Sequence, residues 1–386
     1  MAERRAGRRT KKQQEGFFDY TLLFIVLFLL GFGLVMLYST SSYEASIEFG
    51  DSAFYLKNQI RSTLIGIAGM IAVANIPYHF WERFAVLGYV ISIVLILLVL
   101  TPLGVERNGA RRWLDVGISV QPAEIAKLGM ILFLTTLICY MGKNIRTAKG
   151  FAIVLAAPMP VVIMVWRITD NLSSAIIILG IAILMLFVAC PDYKRFLIMG
   201  GIVLLLAGGY VLLVKQTSGS GIFGFRGERI LAWLEPESDP SDKGFQILQG
   251  LYAIGSGGIL GKGLGQSMQK LGFLPEAQND MIFSIICEEL GLFGAICILM
   301  MFVLLIWRFM VIANNAPDLF GALLVVGVLG HIAIQVILNV AVVTNTIPNT
   351  GISLPFISYG GTSVLFLLIE IGLVLSVGRG IRLKDL

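Results

Sequence analysis

The chain has 386 residues, of which 57% are hydrophobic and 14% are charged, and its formal net charge is +5. This composition excludes an ordinary soluble globular protein and indicates a protein that crosses a membrane many times. The basic residues concentrate in the N-terminal tail and at the ends of apolar segments, which favours orientation in a membrane over nucleic-acid binding. Four cysteines lie in or beside apolar segments without metal-ligand spacing, so we expect neither a disulfide nor a metal site: Cys139, Cys190, Cys287 and Cys297.

Apolar runs of roughly 18 residues or more recur along the chain, and each is long enough to cross the hydrocarbon core as a helix. We therefore predict an all-α polytopic membrane protein with about ten transmembrane helices and both termini in the cytoplasm. Residues 1–16 are predicted to be a disordered, basic cytoplasmic tail, and residues 17–386 a single membrane domain. One large extracytoplasmic loop, residues 215–280, joins predicted helices seven and eight.

The first informative loop, residues 102–122, carries cations on the predicted outer face, against the usual bias of positive charge toward the cytoplasm. Arg111, Arg112 and Trp113 are consecutive in this loop. Guanidinium groups match the geometry of phosphate, so the loop is a candidate anion site. The alternative is an ordinary interfacial anchor, in which arginine reaches the headgroups and tryptophan lies at the membrane surface.

Predicted helix four opens at Pro122 and carries Glu124 and Lys127 on one face at spacing i,i+3. Opposite charges at this spacing can neutralise each other inside a helix bundle. The pair is therefore either functional or purely structural.

The long loop, residues 215–280, begins with Arg226 and Arg229 among apolar side chains, as in an amphipathic helix at a membrane interface. A glycine-rich stretch with Lys262 follows, and Lys270 comes after it. This stretch has no Gly-Lys-Ser/Thr sequence, which excludes a nucleotide-binding loop. Its glycines serve either turns and close packing or the approach of backbone N–H groups to a lipid diphosphate.

The polar loop ends at Asp280, and an apolar helix beginning at Met281 carries Ser284 and Glu288 on the same face as Asp280. At 1.5 Å per residue, Glu288 lies about 12 Å below Asp280. Asp280 is a candidate N-cap of this helix and also a candidate general base, and the two roles are compatible. Glu288 and Glu289 lie in or near the hydrocarbon, where an uncompensated carboxylate costs several kcal/mol.

Predicted helix nine, Leu319–Val343, places His331 and Asn339 on one inward face, and a lone histidine there is more often a packing residue than a ligand. Residues 344–363 are apolar but rich in proline and glycine, so we predict a buried, cavity-lining loop at membrane depth. The last helix holds Glu370 near its middle. We assign five membrane-depth residues to a polar core: Glu124, Lys127, Glu288, Glu289 and His331.

Three parts of the chain resemble the SEDS family (shape, elongation, division and sporulation), which includes FtsW, RodA and SpoVE. They are NGARRW at 108–113 with QPAEIAK at 121–127, residues 255–291, and PNTGISLPFISYGG at 348–361. The chain departs from the family at 169–174, where it has TDNLSS in place of the usual Gln-Pro-Asp-Leu-Gly-Thr. It also has Gln278 and Asn279 where His-Thr often precedes the aspartate.

The resemblance implies a peptidoglycan glycosyltransferase that polymerises lipid II into β-1,4 glycan strands on the outer face of the cytoplasmic membrane. It also implies a class B penicillin-binding protein as the transpeptidase partner, within the membrane machinery of division or elongation. Residues 33–39 resemble the division and sporulation branch, so we expect a role in septum and cell wall synthesis. The essential aspartate and tryptophan of the family fall on Asp280 and Trp113.

The chemistry that this resemblance implies is inversion, because lipid II carries its sugar on an α-linked diphosphate and the product is β-linked. A single displacement needs a base for the acceptor hydroxyl and a means of stabilising the departing diphosphate. We assign the catalytic role to Asp280. We assign substrate binding to Arg111, Arg112, Trp113, Arg226, Arg229, Lys262, Lys270, Glu276 and Ser358. The sequence identifies no metal ligands and no definite cofactor, and a divalent cation could share the stabilisation of the leaving group.

Other functional classes stay open at this point. Membrane-depth charges and broken helices also describe a lipid II flippase or a secondary transporter, whose essential polar groups would lie near the midplane. A non-catalytic scaffold for division proteins would make Asp280 dispensable. Glu276 with Asp280 could also imitate the paired carboxylates of a glycosidase.

Overall fold

A computed structural model of the chain describes residues 18–107, 110–115, 117, 119–190, 192–217, 224–238 and 243–381. The predicted cytoplasmic tail, residues 1–16, and the side chain of Arg226 lie outside the described residues. The helices are α1 Tyr20–Phe49, α2 Phe54–Asn75, α3 His79–Glu82, α4 Ala85–Leu98, α5 Pro122–Met141, α6 Ala148–Ala156, α7 Met159–Ile168, α8 Leu172–Ala189, α9 Tyr193–Gln216, α10 Gly224–Leu234, α11 Lys243–Gly257, α12 Ile282–Asn314, α13 Leu319–Val343 and α14 Gly361–Gly380.

Eight helical segments in the described part of the chain are long and apolar enough to cross a membrane. They comprise α1, α5 with the turn that follows it, α6 with α7, α8, α9, α12, α13 and α14. Two further helices pack along spans, α2 against α14 and α4 against α5. The predicted polytopic helical membrane fold is thus confirmed. In the described part of the chain, eight segments are both long enough and apolar enough to span, whereas the sequence predicted roughly ten.

Local sequence explains where several helices begin. Pro122 opens α5, where its missing N–H has no intrahelical acceptor to lose. Asn171 caps α8 by accepting a hydrogen bond of 2.9 Å from the Ser174 backbone N–H, and Asp318 caps α13 in the same way through Gly321 at 2.8 Å. The bounds predicted for α13 are those that the structure shows.

The outer loop at residues 102–122 adds a small sheet to a fold predicted to be all helical. Strands β1 Gly104–Arg107, β2 Ala110–Asp115 and β3 Ser119–Val120 form an antiparallel sheet in the order β1-β2-β3. Ala110 and Leu114 lie on the same face of β2, four residues apart, and are buried, while the arginines between them are more exposed. The prediction missed these strands because short strands in a loop carry little periodic signal.

The core lies around α13 and α14, which are the most buried spans of the described chain. By contrast, α9 stands at the periphery, and Val214 is the single buried residue among its described positions. Between α9 and α12, the predicted amphipathic segment forms α10, and α11 packs along α12. Helix α12 is itself broken at Gly291, whose φ of 68° and ψ of −170° are not helical.

Candidate functional site

Asp280 lies two residues before α12, in the layer where several loops meet. Its side chain is 8% exposed, and its Oδ1 atom has no hydrogen-bond partner among the described residues. The prediction that Asp280 caps α12 is wrong, because Met281 occupies the N-cap position and no side chain caps the helix. The preceding turn ends one residue later than the sequence pattern indicates, which leaves the carboxylate of Asp280 free of a capping role.

The surroundings of Asp280 raise the pKa of its side chain toward neutral pH. Burial raises the pKa of Asp280 to about 7, and the negative charge of Glu276 acts in the same direction. The backbone N–H groups at 280 and 281 and the Arg229 guanidinium oppose this shift in pKa. A carboxyl group of this kind can take and release a proton near neutral pH, as general base catalysis requires.

The backbone of Asp280 is held by Asn339, a fully buried residue of α13. The Asn339 side-chain amide donates to the carbonyl oxygen of Asp280 at 2.8 Å and to that of Ile352 at 2.6 Å. One amide therefore joins the loop before α12 to the loop before α14. The sequence placed Asn339 on an inward polar stripe of α13 without showing what it bonds.

The loop at residues 344–360 covers Asp280, in keeping with the prediction that it is buried against protein. Gly351 has a φ of 69°, and a Cβ atom there would lie 3.8 Å from Asp280 Oδ2. Ser358, predicted to bind substrate, is buried and donates its hydroxyl to the Asn279 carbonyl at 2.6 Å. The same hydroxyl accepts from the Leu354 backbone N–H at 2.8 Å, so Ser358 fastens the two loops together.

Arg229 of α10 is the cation from the predicted substrate set whose charge acts on Asp280. Its guanidinium donates to the Asn349 carbonyl at 3.2 Å, within the loop that covers Asp280. One turn further along α10, the Trp233 indole N–H donates to the Asn345 carbonyl at 3.0 Å. Helix α10 thus lies against the covering loop and brings a positive charge to the site.

Arg111, Arg112 and Trp113 lie on β2, the middle strand of the outer sheet. Arg111 donates to the carbonyl oxygens of Gly104 and Thr101 at 3.0 and 3.1 Å, both within its own loop. Arg112 donates to the carbonyls of residues 169 and 170 at 3.1 and 3.0 Å. The segment that departs from the family pattern therefore receives Arg112 and ties the sheet to the turn between α7 and α8.

That same segment also reaches the covering loop. Ser173, at the start of α8, donates its hydroxyl to the Thr350 carbonyl, next to Gly351. Sequence reasoning missed this contact, because the divergence at residues 169–174 gave no pattern to follow. The polar residues at the start of an otherwise apolar helix were the signal that could have found it.

The two other predicted substrate cations are bound to acidic residues of α12. Lys262 Nζ lies 2.7 Å from Glu288 Oε1, and Lys270 Nζ lies 2.8 Å from Glu289 Oε1. Glu276 accepts a hydrogen bond from the Asn279 side-chain amide. The structure thus groups Asp280 with Arg229 and Glu276, and it places the lysines in separate ion pairs.

The remaining charges at membrane depth are paired below the covering loop. Glu124 and Lys127 form an ion pair of 2.8 Å, and Lys127 also donates to Gln335 at 3.4 Å. His331 Nδ1 lies 2.7 Å from Glu370 Oε2, and both side chains are fully buried. Pairing of this kind is what allows charged side chains to remain inside a membrane protein.

An apolar groove with a volume of about 560 Å³ lies between α1, α2 and the segment 264–270. Its lining residues are Leu34, Val35, Tyr38, Ser39, Ser42, Leu56, Leu264, Gly265 and Lys270. Val35 and Tyr38 are about half exposed, at 49% and 45%. Among the described residues, no three or more His, Cys, Asp or Glu side chains are placed to hold a metal ion.

The fold and the site together define a polytopic membrane protein with a buried aspartate covered by a glycine- and proline-rich loop. The family described as "Cell cycle protein", which groups FtsW, RodA and SpoVE, matches residues 20–382, and the chain belongs to this family. The resemblance to the SEDS proteins is therefore confirmed.

Individual relatives match over nearly the whole chain. Stage V sporulation protein E of Bacillus subtilis (strain 168) is 42% identical over 364 residues, which cover 94% of this chain and 97% of that protein. A probable peptidoglycan glycosyltransferase FtsW of Trichlorobacter lovleyi is 38% identical over 372 residues, which cover 96% and 95% of the two chains.

Solved structures show the same fold. A chain from a peptidoglycan synthase complex that coordinates polymerization and crosslinking superposes with a TM-score of 0.75 at 28% identity, covering 94% of this chain and 98% of that one. The rod shape determining protein RodA of Thermus thermophilus superposes with a TM-score of 0.64 at 25% identity, covering 95% and 98%.

Proposed function

We propose that this protein is a peptidoglycan glycosyltransferase that polymerises lipid II into β-1,4 glycan strands for the septum of division or sporulation. Relatives over nearly the full length bear the names of this activity and of sporulation. For this chain, the proposal depends on one observation, which is the environment of the Asp280 side chain. It is a buried carboxylate with a pKa of about 7, a neighbouring guanidinium and one oxygen that has no hydrogen-bond partner in the described part of the chain.

In the proposed reaction, Asp280 accepts the proton of the acceptor sugar hydroxyl as that oxygen attacks the anomeric carbon of the donor. The bond between the anomeric carbon and the diphosphate oxygen breaks, and the diphosphate leaves with the electron pair. Attack from the side opposite the leaving group inverts the α linkage to β. Asp280 must be ionised before attack, so its pKa sets the pH at which the enzyme becomes active.

Arg229 is proposed to stabilise the charge that develops on the departing diphosphate. Guanidinium groups bind phosphate oxygens through paired hydrogen bonds, and Arg229 already lies beside the covering loop. Arg229 suits this role better than Lys262 and Lys270, because those lysines already form ion pairs with buried carboxylates. Arg111 and Arg112 would act by shaping the outer sheet.

The apolar groove beside α1 and α2 supports a lipid-linked substrate. It lies along the spanning helix α1, whose Val35 and Tyr38 side chains are about half exposed, and such an apolar surface faces hydrocarbon in a membrane. We propose that the groove receives a stretch of the polyprenyl chain of lipid II. The soluble sugar-peptide part would then extend toward Asp280.

We propose that the site opens on the outer face of the cytoplasmic membrane. Asp19, beside the strongly basic N-terminal tail, pairs with Arg308 at 2.6 Å near the end of α12 that is remote from Asp280. Basic segments remain in the cytoplasm under the positive-inside rule, so the Asp280 end of α12 points outward. A class B penicillin-binding protein is the proposed crosslinking partner, together with other membrane proteins of the division machinery.

The test is polymerisation of labelled lipid II by purified wild-type protein and by Asp280→Asn, each with and without a class B partner. Polymer from the wild type and at least about a hundredfold less from a folded Asp280→Asn is the expected result. Equal activity of the variant would remove Asp280 from the mechanism. Absence of polymer in both, together with translocation of lipid II in liposomes, would establish the flippase alternative.

A further inference from the structure

The break in α12 at Gly291 is filled by another part of the chain. In a continuous helix, the N–H groups of residues 292 and 293 would donate to the carbonyls of residues 288 and 289. In this structure, residues 258–263 supply the hydrogen-bond partners of all four groups. The bonds, each of 2.9 or 3.0 Å, run from Leu292 N to Gly258 O, from Phe293 N to Ile259 O, from Lys262 N to Glu288 O and from Gly263 N to Glu289 O.

Glycine is required where the two backbones meet. A Cβ atom on Gly261 would collide with the carbonyl of Glu289, and one on Gly291 would collide with the backbone nitrogen of Gly261. Both glycines also have positive φ angles, of 80° and 68°. Backbone groups left unpaired at membrane depth are strongly destabilising, so the hydrogen bonds from residues 258–263 are what makes the break tolerable.

Two buried carboxylates then fasten this segment to the helix. Glu288 pairs with Lys262 at 2.7 Å and accepts from the Ser267 hydroxyl at 2.5 Å. Glu289 pairs with Lys270 at 2.8 Å, and both carboxylates are fully buried. We call these five side chains the hinge lock.

The hinge lock holds one end of a short helical piece, and Asp280 stands at the other end. Residues 282–289 are all buried, so this piece is packed on every side. The lock holds residues 288 and 289, while Asn339 holds the Asp280 carbonyl. One buried helical piece therefore connects the hinge lock with Asp280.

We propose that the hinge lock is a positioning device for the transfer reaction, with Glu288 and Glu289 as positioning residues that place Asp280 against the acceptor hydroxyl. The inference rests on the proposed role of Asp280 as the base. It assigns the paired carboxylates and lysines a role beyond neutralising charge in the membrane.

The test compares Glu288→Gln with a matched pair of variants that break an ion pair between the far end of α12 and the start of α1. Asp19→Asn and Arg308→Gln break a buried ion pair of 2.6 Å between the N-cap of α1 and a residue of α12 that lies 17 positions beyond Gly291. Each full-length variant is assayed with its class B partner for thermal stability and for kcat and KM with lipid II across a pH series. Amide hydrogen exchange of residues 282–290 is measured in parallel.

Glu288→Gln should lower kcat by on the order of 10²-fold with little change in KM, since displacement of a catalytic group by about 1 Å has an effect of that size. Exchange of residues 282–290 should rise. The far-end variants should lose as much thermal stability while kcat stays within about twofold of the wild type. A Glu288→Gln variant whose kcat falls no further than theirs would overturn the inference and leave the lock a structural feature.

Lys262→Met gives a second measurement if Glu288→Gln fails to fold. The Lys262 side chain is a third exposed, so replacing it should destabilise the fold less than replacing the fully buried Glu288. Lys262→Met should lower kcat in the same way, by on the order of 10²-fold with little change in KM. A Lys262→Met variant whose kcat falls no further than that of the far-end variants would overturn the inference. If Asp280→Asn keeps its activity while Glu288→Gln shows raised amide exchange at residues 282–290, then Asp280 is not the base. The hinge lock would still hold the helical piece in place.

Discussion

The side-chain amide of Asn339 lies 2.8 Å from the carbonyl oxygen of Asp280 and holds in place the backbone that carries the candidate base. Its second bond, to Ile352 at 2.6 Å, joins that backbone to the covering loop. The two residues are 59 positions apart in sequence, so this link exists only in the folded bundle.

Asn339→Ala should weaken both activity and stability. Two buried carbonyl groups lose their donor, which costs about 1–3 kcal/mol for each such group. Thermal unfolding and the rate of lipid II polymerisation are the measurements. Asn315→Ala is the control, because this C-cap residue of α12 donates its side-chain amide to the Val311 carbonyl at 2.8 Å, within the same helix end. Equal losses in the two variants would show that Asn339 has no special connection to the site.

The pH dependence of activity should follow the ionisation of Asp280. The base must be deprotonated, so kcat/KM should rise with pH and reach half its maximum near a pH of about 7. A profile measured from pH 5 to 9 with lipid II tests this. A profile that is flat through pH 7, with the step near pH 4, would show that the carboxyl is not buried as the structure has it.

The same raised pKa predicts an opposite effect on stability. The unfolded chain has an aspartate pKa of about 3.9, so between that value and about 7 the folded state binds the extra proton. The stability that this proton contributes is complete below pH 4 and is lost as pH rises through 7. Asp280→Asn should therefore raise the melting temperature relative to the wild type at pH 8 and leave it unchanged at pH 4.

In the profile of activity against pH, Arg229→Gln should move the acidic limb to higher pH. The guanidinium lowers the pKa of Asp280, so removing its charge lets the pKa rise further. Activity at pH 7 should fall about tenfold, the effect of roughly one charge-assisted hydrogen bond. Arg229→Lys, which keeps the charge, should keep the position of the limb. Lys57→Gln is the control, since that lysine pairs with Asp51 on the exposed surface at 2.7 Å.

A bulky side chain in the apolar groove should weaken binding of the lipid chain. Val35→Trp would fill part of the groove, so KM for lipid II should rise severalfold while kcat stays nearly unchanged. Val94→Trp is a matched control on α4, because the two valines are 49% and 47% exposed. If both variants behave alike, the groove does not bind the substrate chain.

Much of the helical plan was readable from the sequence, because apolar length and charge at segment ends are local properties. The bounds of α13 and the start of α5 at Pro122 illustrate this. The position of Asp280 at the end of a polar loop was also visible. Its N-cap role was predicted wrongly, because a shift of one residue in the last turn decides which residue caps the helix.

The partners of the predicted site residues were not readable in the same way. Nothing in the spacing of the glycine-rich stretch showed that Lys262 would meet Glu288, 26 residues later. The three strands of the outer loop were missed for a related reason, since β2 has only six residues and pairs with strands of four and two.

The sequence by itself determined the class of protein, the places where helices can cross a membrane and the residues too polar to lie there without partners. These follow from the free energy of transferring each side chain into hydrocarbon, which depends on local composition. Only the tertiary structure decided which charge meets which, because such pairs are made when distant helices pack. The raised pKa of Asp280 and the loop that covers it both arise from that packing.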